Sequence, residues 1–194
     1  MKTIYIHIGF PKTGTKYLSR KFFSRHPKIQ NFGKQHSLQD IDPDLLLSFN
    51  KIMHQKKISI EDEKEIMKSI KKINLKNEKV NFISYEGFTQ LNFTVSHIEI
   101  FKRLKSFFLR CGIKIKIFAT IRSQIEMIPS HFANAPKLYS NLPTKGFKEF
   151  IKQLEQKNKK TSQVISTVFD RYKYYRLYSK LTKLFGKKNI KFLF

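Results

Sequence analysis

The stretch Thr3-Ile4-Tyr5-Ile6-His7-Ile8-Gly9-Phe10-Pro11-Lys12-Thr13-Gly14-Thr15-Lys16-Tyr17 decides the fold. Ile4, Ile6 and Ile8 alternate with Tyr5 and His7, the period of a short buried strand. A Gly-Pro turn follows. Leu18, Phe22 and Phe23 then recur at helical spacing, which predicts a helix from about Gly14 to Arg25 that stops before Pro27. A loop between a strand and a helix points backbone N–H groups and the positive end of the helix at an anion. Gly14 lets the backbone approach an oxyanion. Lys12 and Lys16 add charge, and Thr13 and Thr15 add hydroxyl donors.

Further along the chain, strands and helices alternate. Val80 to Tyr85 reads as a second strand. Ile113, Ile115, Ile117 and Ala119 alternate with Lys114, Lys116 and Phe118 to give a third, and Asn189 to Phe194 begins another. Helices are expected near 45–54, 61–76, 98–110, 123–132, 147–157 and 164–184; Cys111-Gly112 closes the third of these. Residues 27–60 otherwise read as irregular. Strands separated by helices imply an α/β class with a mainly parallel central sheet flanked by helices. At 194 residues the chain is one domain, 1–194, with no internal repeat and no Gly/Ser linker.

Charge bounds the partners. Lys and Arg number 39 against 14 Asp and Glu, a formal net charge of +25, so nucleic acid, membrane surfaces and anionic small molecules all come into view. Only seven of those 39 are Arg, however, and readers of nucleic acid lean on Arg for bidentate contacts. Cys111 is the single cysteine, so an internal disulfide and a Cys-based zinc site are excluded. No His spacing suggests a metal site. No apolar run approaches the roughly 20 residues that span a bilayer. Thr3 to Gly9 reads as a strand and not as the apolar core of a signal peptide, so a cytoplasmic protein is expected.

The loop from Gly9 to Lys16 is close to a Walker loop but departs from it. Gly-x-x-x-x-Gly is present, yet Lys-Ser/Thr is replaced by Thr15-Lys16, the reverse order. Tyr17 stands where a magnesium-holding hydroxyl would follow the Lys. The strand ending at Thr120-Ile121 offers Arg122 where an Asp would be needed. The loop therefore suits phosphate-like groups and lacks the parts that hold a metal.

Pro11-Lys12-Thr13-Gly14-Thr15 resembles the 5′-phosphosulfate loop of sulfotransferases that use 3′-phosphoadenosine-5′-phosphosulfate (PAPS). Ile117-Phe118-Ala119-Thr120-Ile121-Arg122, followed by Ser130 eight residues after the Arg, is similar to the family's 3′-phosphate signature. An Arg there clamps a phosphate in bidentate fashion, and the Ser adds a neutral hydrogen bond. The resemblance runs from residue 3 to about 135 and weakly to the end. It implies a P-loop-like three-layer fold and metal-free transfer of a sulfuryl group from PAPS to a hydroxyl, leaving 3′-phosphoadenosine-5′-phosphate (PAP). Lys12 would hold the leaving bridge oxygen. Pro11, Thr13, Gly14, Thr15 and Lys16 would cradle the phosphosulfate, Lys16 replacing the family's more usual Ser/Thr. Tyr17 is either an adenine-packing aromatic or a core residue. The family's later Tyr-Glu-Asp segment and adenine loop have no counterpart here, so a chain incomplete at its C-terminus is expected.

Sulfuryl transfer needs a base for the acceptor's proton. Ser84-Tyr85-Glu86-Gly87 follows a strand, at the edge where ligands of open α/β sheets bind. Ser-x-Glu-Gly at this position is similar to bacterial and carbohydrate sulfotransferases, a resemblance that makes Glu86 the base and puts Ser84 near the same site. His36 and His131 are the alternatives, and His7, inside the first strand, reads as a satisfied core residue. The segments 27–79 and 133–160 are expected to border the acceptor, a carbohydrate or another polar or anionic alcohol by analogy. Two competing readings stay open: a P-loop kinase or nucleotide-binding protein, and a basic polyanion-binding module. Nucleic acid is not required by the charge once Lys12, Lys16 and Arg122 have a donor to face.

Overall fold

The computed structural model describes residues 1–10, 14–33, 41–89, 95–133, 147–148, 152 and 174–193. Their centre is a five-stranded, all-parallel sheet in the order β2-β3-β1-β4-β5. Along the chain come β1 (Lys2–Gly9), a short helix α1 (Thr15–Tyr17) that runs on as a π-helical turn (Leu18–Phe23), β2 (Ile29–Asn31), α2 (Pro43–His54) and α3 (Ile60–Lys71). Then follow β3 (Val80–Ser84), a 3₁₀ turn (Glu86–Thr89), α4 (His97–Arg110), β4 (Ile113–Thr120), α5 (Gln124–Phe132), α6 (Tyr174–Phe185) and β5 (Ile190–Leu193). The α/β class, the parallel sheet and its helical flanks are thus as the alternation implies.

Each strand's period of two sorts its side chains onto two faces. Ile4, Ile6 and Ile8 of β1, Ile83 of β3 and Ile113, Ile115 and Ile117 of β4 form one apolar layer. Helices α2, α3 and α4 close it with Leu45, Phe49, Ile52, Ile66, Ile70, Phe101, Leu104 and Phe108. Phe49, Phe101 and Phe108 are wholly buried. Burying each such side chain is worth ~1.5–3 kcal/mol.

The helices start where side chains can cap them. Asp42 accepts from the Leu45 N–H at 3.0 Å, with Pro43 as the first helical residue, and Ser59 accepts from the Asp62 N–H at 3.0 Å. Gly112, at φ 73°, carries the chain out of α4 into β4 in a left-handed conformation that side chains resist. At the far end of α2, the Arg103 guanidinium from α4 donates to the carbonyls of Ile52, Gln55 and Lys56 at 3.1, 2.7 and 2.8 Å. A cation there answers the negative end of the helix.

Three expectations need correction. Residues 27–60, read as irregular apart from a helix near 45–54, also hold the edge strand β2, and their helix runs from Pro43 to His54. The helix expected from Gly14 to Arg25 is mostly π-helical, Ser24 N–H bonding Ser19 C=O at 3.2 Å across five residues. The helix expected at 61–76 ends at Lys71. Of the helices expected at 147–157 and 164–184, much lies outside the described residues. No helix among the described residues is long and apolar enough to cross a membrane.

Candidate functional site at the carboxyl edge of the sheet

Strand order fixes where a ligand can lie. The chain leaves β1 toward β2 on one side of the sheet, and leaves β4 toward β5 on the other. The chain therefore departs in opposite directions from two adjacent parallel strands, the kind of point at whose carboxyl edge open α/β sheets form a ligand crevice. β1 and β4 are those strands, paired from Lys2↔Ile113 up to Gly9↔Thr120. This register sets the end of β1 beside the end of β4, two residues before Arg122.

The loop after β1 is anchored at both ends. Phe10 is 3% exposed and packs edge-on against Tyr174, ring centroids 4.8 Å apart. Thr15 is buried, and a Cβ on Gly9 would collide with its hydroxyl, so Gly9 is the residue that lets the returning helix close onto the strand. Gly14 caps α1 at φ 75° with open space around it, and its carbonyl takes the Leu18 N–H at 2.9 Å. Gly14 offers no side chain as a cap, and a helix N-terminus is an end that favours an anion. Pro11, Lys12 and Thr13 lie outside the described residues, as does the side chain of Lys16. Tyr17 is 68% exposed, which removes the core alternative for that ring.

Arg122 leaves the sheet one residue after Ile121, whose N–H bonds Leu193 C=O of β5 at 2.8 Å. Its Nε donates to Glu126 Oε2 at 2.8 Å, an i,i+4 pair in which both side chains are substantially exposed. Such pairs are worth ~0.3–0.5 kcal/mol, too little to compete with a bidentate phosphate. Ser130 lies one turn beyond Glu126 on α5 and is half-buried. Residues four apart share a helix face, so Ser130 lies on the face of α5 that carries Glu126, the partner of Arg122.

Tyr174, at the start of α6, was not foreseen as part of this edge. Besides packing on Phe10, its hydroxyl donates to Met127 Sδ at 3.1 Å and receives the backbone N–H of Arg122. Burial outweighs that N–H bond and pushes the phenol up to about 12. Tyr174 thus joins the loop after β1 to the segment after β4. No local pattern announces a contact between residues so far apart. Glu126 was missed too, although its spacing from Arg122 is a readable signal.

On the other side of β1, β3 ends at Ser84, in register with His7. Glu86 opens the 3₁₀ turn that follows. Tyr85 and Phe88 flank it as buried anchors, their rings 5.0 Å apart and both against Phe49. The backbone of Glu86 is held between them; its side chain lies outside the described residues, as do His36 and the side chain of His131. Ser84 is only 2% exposed, and its hydroxyl meets His7 Nδ1 at 2.9 Å. It serves beneath the edge and does not face it.

His7 is fully buried, with Nε2 at 3.0 Å from Thr120 Oγ1. Phe23, Phe82 and Phe118 surround the ring at 5.2, 5.8 and 5.4 Å between centroids. Burial lowers the imidazole from 6.5 to about 3, so it is neutral under ordinary conditions. The expectation of a satisfied core histidine holds in that sense.

No family model matches the sequence, and no curated protein does. Among solved structures the chain is similar to the crystal structure of a sulfotransferase from Alicyclobacillus acidocaldarius. The TM-score is 0.60 at 14% sequence identity, covering 100% of this chain and 73% of that one. The fold is sulfotransferase-like. At that identity the likeness speaks to architecture alone.

Proposed function

We propose that the protein transfers a sulfuryl group from PAPS to an acceptor hydroxyl. The Gly9↔Thr120 register carries this reading. It sets the end of β1, where the glycine-bounded loop starts, beside the end of β4, two residues before Arg122, and this neighbourhood supports a donor with phosphates at both ends. The sulfotransferase-like architecture supports it.

Each group has a task in this reading. The turn opening at Gly14, with Pro11, Lys12, Thr13, Thr15 and Lys16, takes the 5′-phosphosulfate, and Arg122 with Ser130 takes the 3′-phosphate. Tyr17, exposed beside the loop, is available to the adenine. The acceptor oxygen attacks sulfur in line as the bond from sulfur to the bridging oxygen breaks. Lys12 neutralises the charge that develops on that oxygen, which departs with PAP. Glu86 accepts the acceptor's proton. Positioning and charge stabilisation dominate such loose transfers, as they do in phosphoryl transfer. The acceptor, a carbohydrate or other polar alcohol, lies toward residues 27–79 and 133–160, and the reaction belongs to the cytoplasm.

Calorimetry with PAP, ADP and ATP tests the reading. PAP should bind more tightly than either competitor, and Lys12→Ala or Arg122→Ala should weaken it at least tenfold, the scale of a lost charged contact. Glu86→Gln should keep PAP binding and lose turnover. Magnesium-dependent ATP turnover without PAP binding would favour a kinase. DNA affinity that falls steeply with salt and ignores Lys12 would favour a polyanion-binding module.

A further inference from the structure

We propose that His7 is a positioning residue of this site: by joining Ser84 to Thr120 it fixes Glu86 and Arg122 relative to the loop of β1. The inference rests on the sulfuryl-transfer reading above and adds a residue to it.

The geometry is a three-strand clasp. Ser84 ends β3 and Thr120 ends β4, and the single imidazole of the central strand reaches both hydroxyls, at 2.9 and 3.0 Å. The β1–β3 ladder has its last paired position at His7↔Ser84, so the ring bridges the strands just where β3 leaves the sheet. Glu86 stands two residues past Ser84, and Arg122 two past Thr120. A neutral imidazole has one N–H and one lone pair. One hydroxyl therefore donates to the ring and the other accepts from it, which completes both partners and makes the set directional.

Space-filling does not explain the choice of residue. The ring lies among Phe23, Phe82 and Phe118, and the opposite face of β1 carries isoleucine at three alternate positions. An aliphatic side chain would fill the gap with no partners to satisfy. A buried polar set is costly when incomplete and rigid when complete. Rigidity at this point is what the site uses, since small misplacements of reacting groups cost large factors in rate.

Two substitutions separate positioning from packing. His7→Asn places its amide near Nδ1, keeping the tie to Ser84 and losing Thr120. His7→Gln places its amide near Nε2, keeping Thr120 and losing Ser84. The expected result is asymmetric. His7→Asn raises the PAP dissociation constant about tenfold; His7→Gln leaves it within about twofold but slows sulfate release from PAPS, with water as acceptor, about tenfold. PAP affinities that change equally in the two variants, or in neither, while circular dichroism shows both folded, overturn the proposal. Should either variant fail to fold, Thr120→Val and Ser84→Ala read the same split, PAP binding weakening in the first alone; equal effects again overturn it. Wild-type protein that does not bind PAP overturns the underlying reading and this one together. Wild-type that binds PAP while the paired variants behave alike overturns only the role of His7.

Discussion

The two faces of the sheet are built on different terms. One is aliphatic: Ile4, Ile6, Ile8, Ile83, Ile115 and Ile117 under α2, α3 and α4. The other gathers His7 with the rings of Phe23, Phe82 and Phe118 beneath the π-helical turn, and lower down sets Lys116 Nζ 5.4 Å from the Tyr5 ring. The aliphatic face needs only volume and dryness. The histidine face joins specific atoms on three strands. Stability should therefore track the first face, and the alignment of the carboxyl edge should track the second.

The largest effect should come from the aliphatic side. Phe101 is fully buried in α4, among side chains that hold the helix on the sheet. Phe101→Ala should cost ~3–5 kcal/mol of unfolding free energy in a urea titration. The folded fraction should still bind PAP with unchanged affinity, because the edge residue that Phe101 meets is Phe88, ring centroids 6.4 Å apart, beside Glu86 and away from the groups given to the donor. A loss of affinity beyond the loss of folded protein would mean that the two faces are coupled.

The same contrast explains what could be read from the sequence. Alternating isoleucines made β1 and β4 visible, the short apolar run from Val80 to Tyr85 did so for β3, and helical spacing did so for α4. β2 escaped because Ile29-Gln30-Asn31 is three residues long with one apolar member. Phe23 was visible as a helical apolar position. Its turn toward His7 was not, since a π-helical bulge comes from tertiary packing that no local propensity carries. At the site, the motif residues Gly14, Thr15 and Arg122 were found where strand ends must bring them. Ser84 was placed by its motif, but its direction was not, because only the register with His7 tells which way the hydroxyl points. Tyr174 had no local signal at all.

A change of pH should separate the faces next. The imidazole of His7 sits at about 3 in the fold against 6.5 when free. Between those values the unfolded chain binds a proton that the fold refuses, so stability rises with pH. It is fully present above about 6.5 and drains as pH falls toward 3. The slope is about 1.4 kcal/mol per unit per proton, a few kcal/mol over the window. Asp44 and Asp62, held below the usual carboxylate value by hydrogen bonds from Lys72 and Lys51, lose their contributions only at the acid end. Among the described residues, the interval from about 4 to 6 therefore reports chiefly His7. His7→Gln should flatten the pH dependence of urea midpoints there, whereas a substitution on the aliphatic face such as Phe101→Ala should shift the curve without changing its slope. An unchanged slope in His7→Gln would place the titrating group elsewhere.

The smallest effect should come from Glu126, and its sign is the informative part. The carboxylate holds Arg122 Nε at 2.8 Å, in an exposed pair that a 3′-phosphate would have to displace or share. Glu126 also sets its charge near the place where that phosphate would arrive. Removing the charge while keeping the shape lifts both obstacles and gives up only a weak ion pair. Glu126→Gln should therefore tighten PAP binding by about threefold, most clearly at low salt where a single charge is least screened. If Glu126 instead aligns the guanidinium productively, the same substitution weakens PAP binding, and the pair becomes a support for Arg122. Arg122→Ala with Glu126→Gln completes a double-mutant cycle. If Glu126 acts through Arg122, its effect vanishes when Arg122 is gone; an effect that persists belongs to the carboxylate's own field on the crevice.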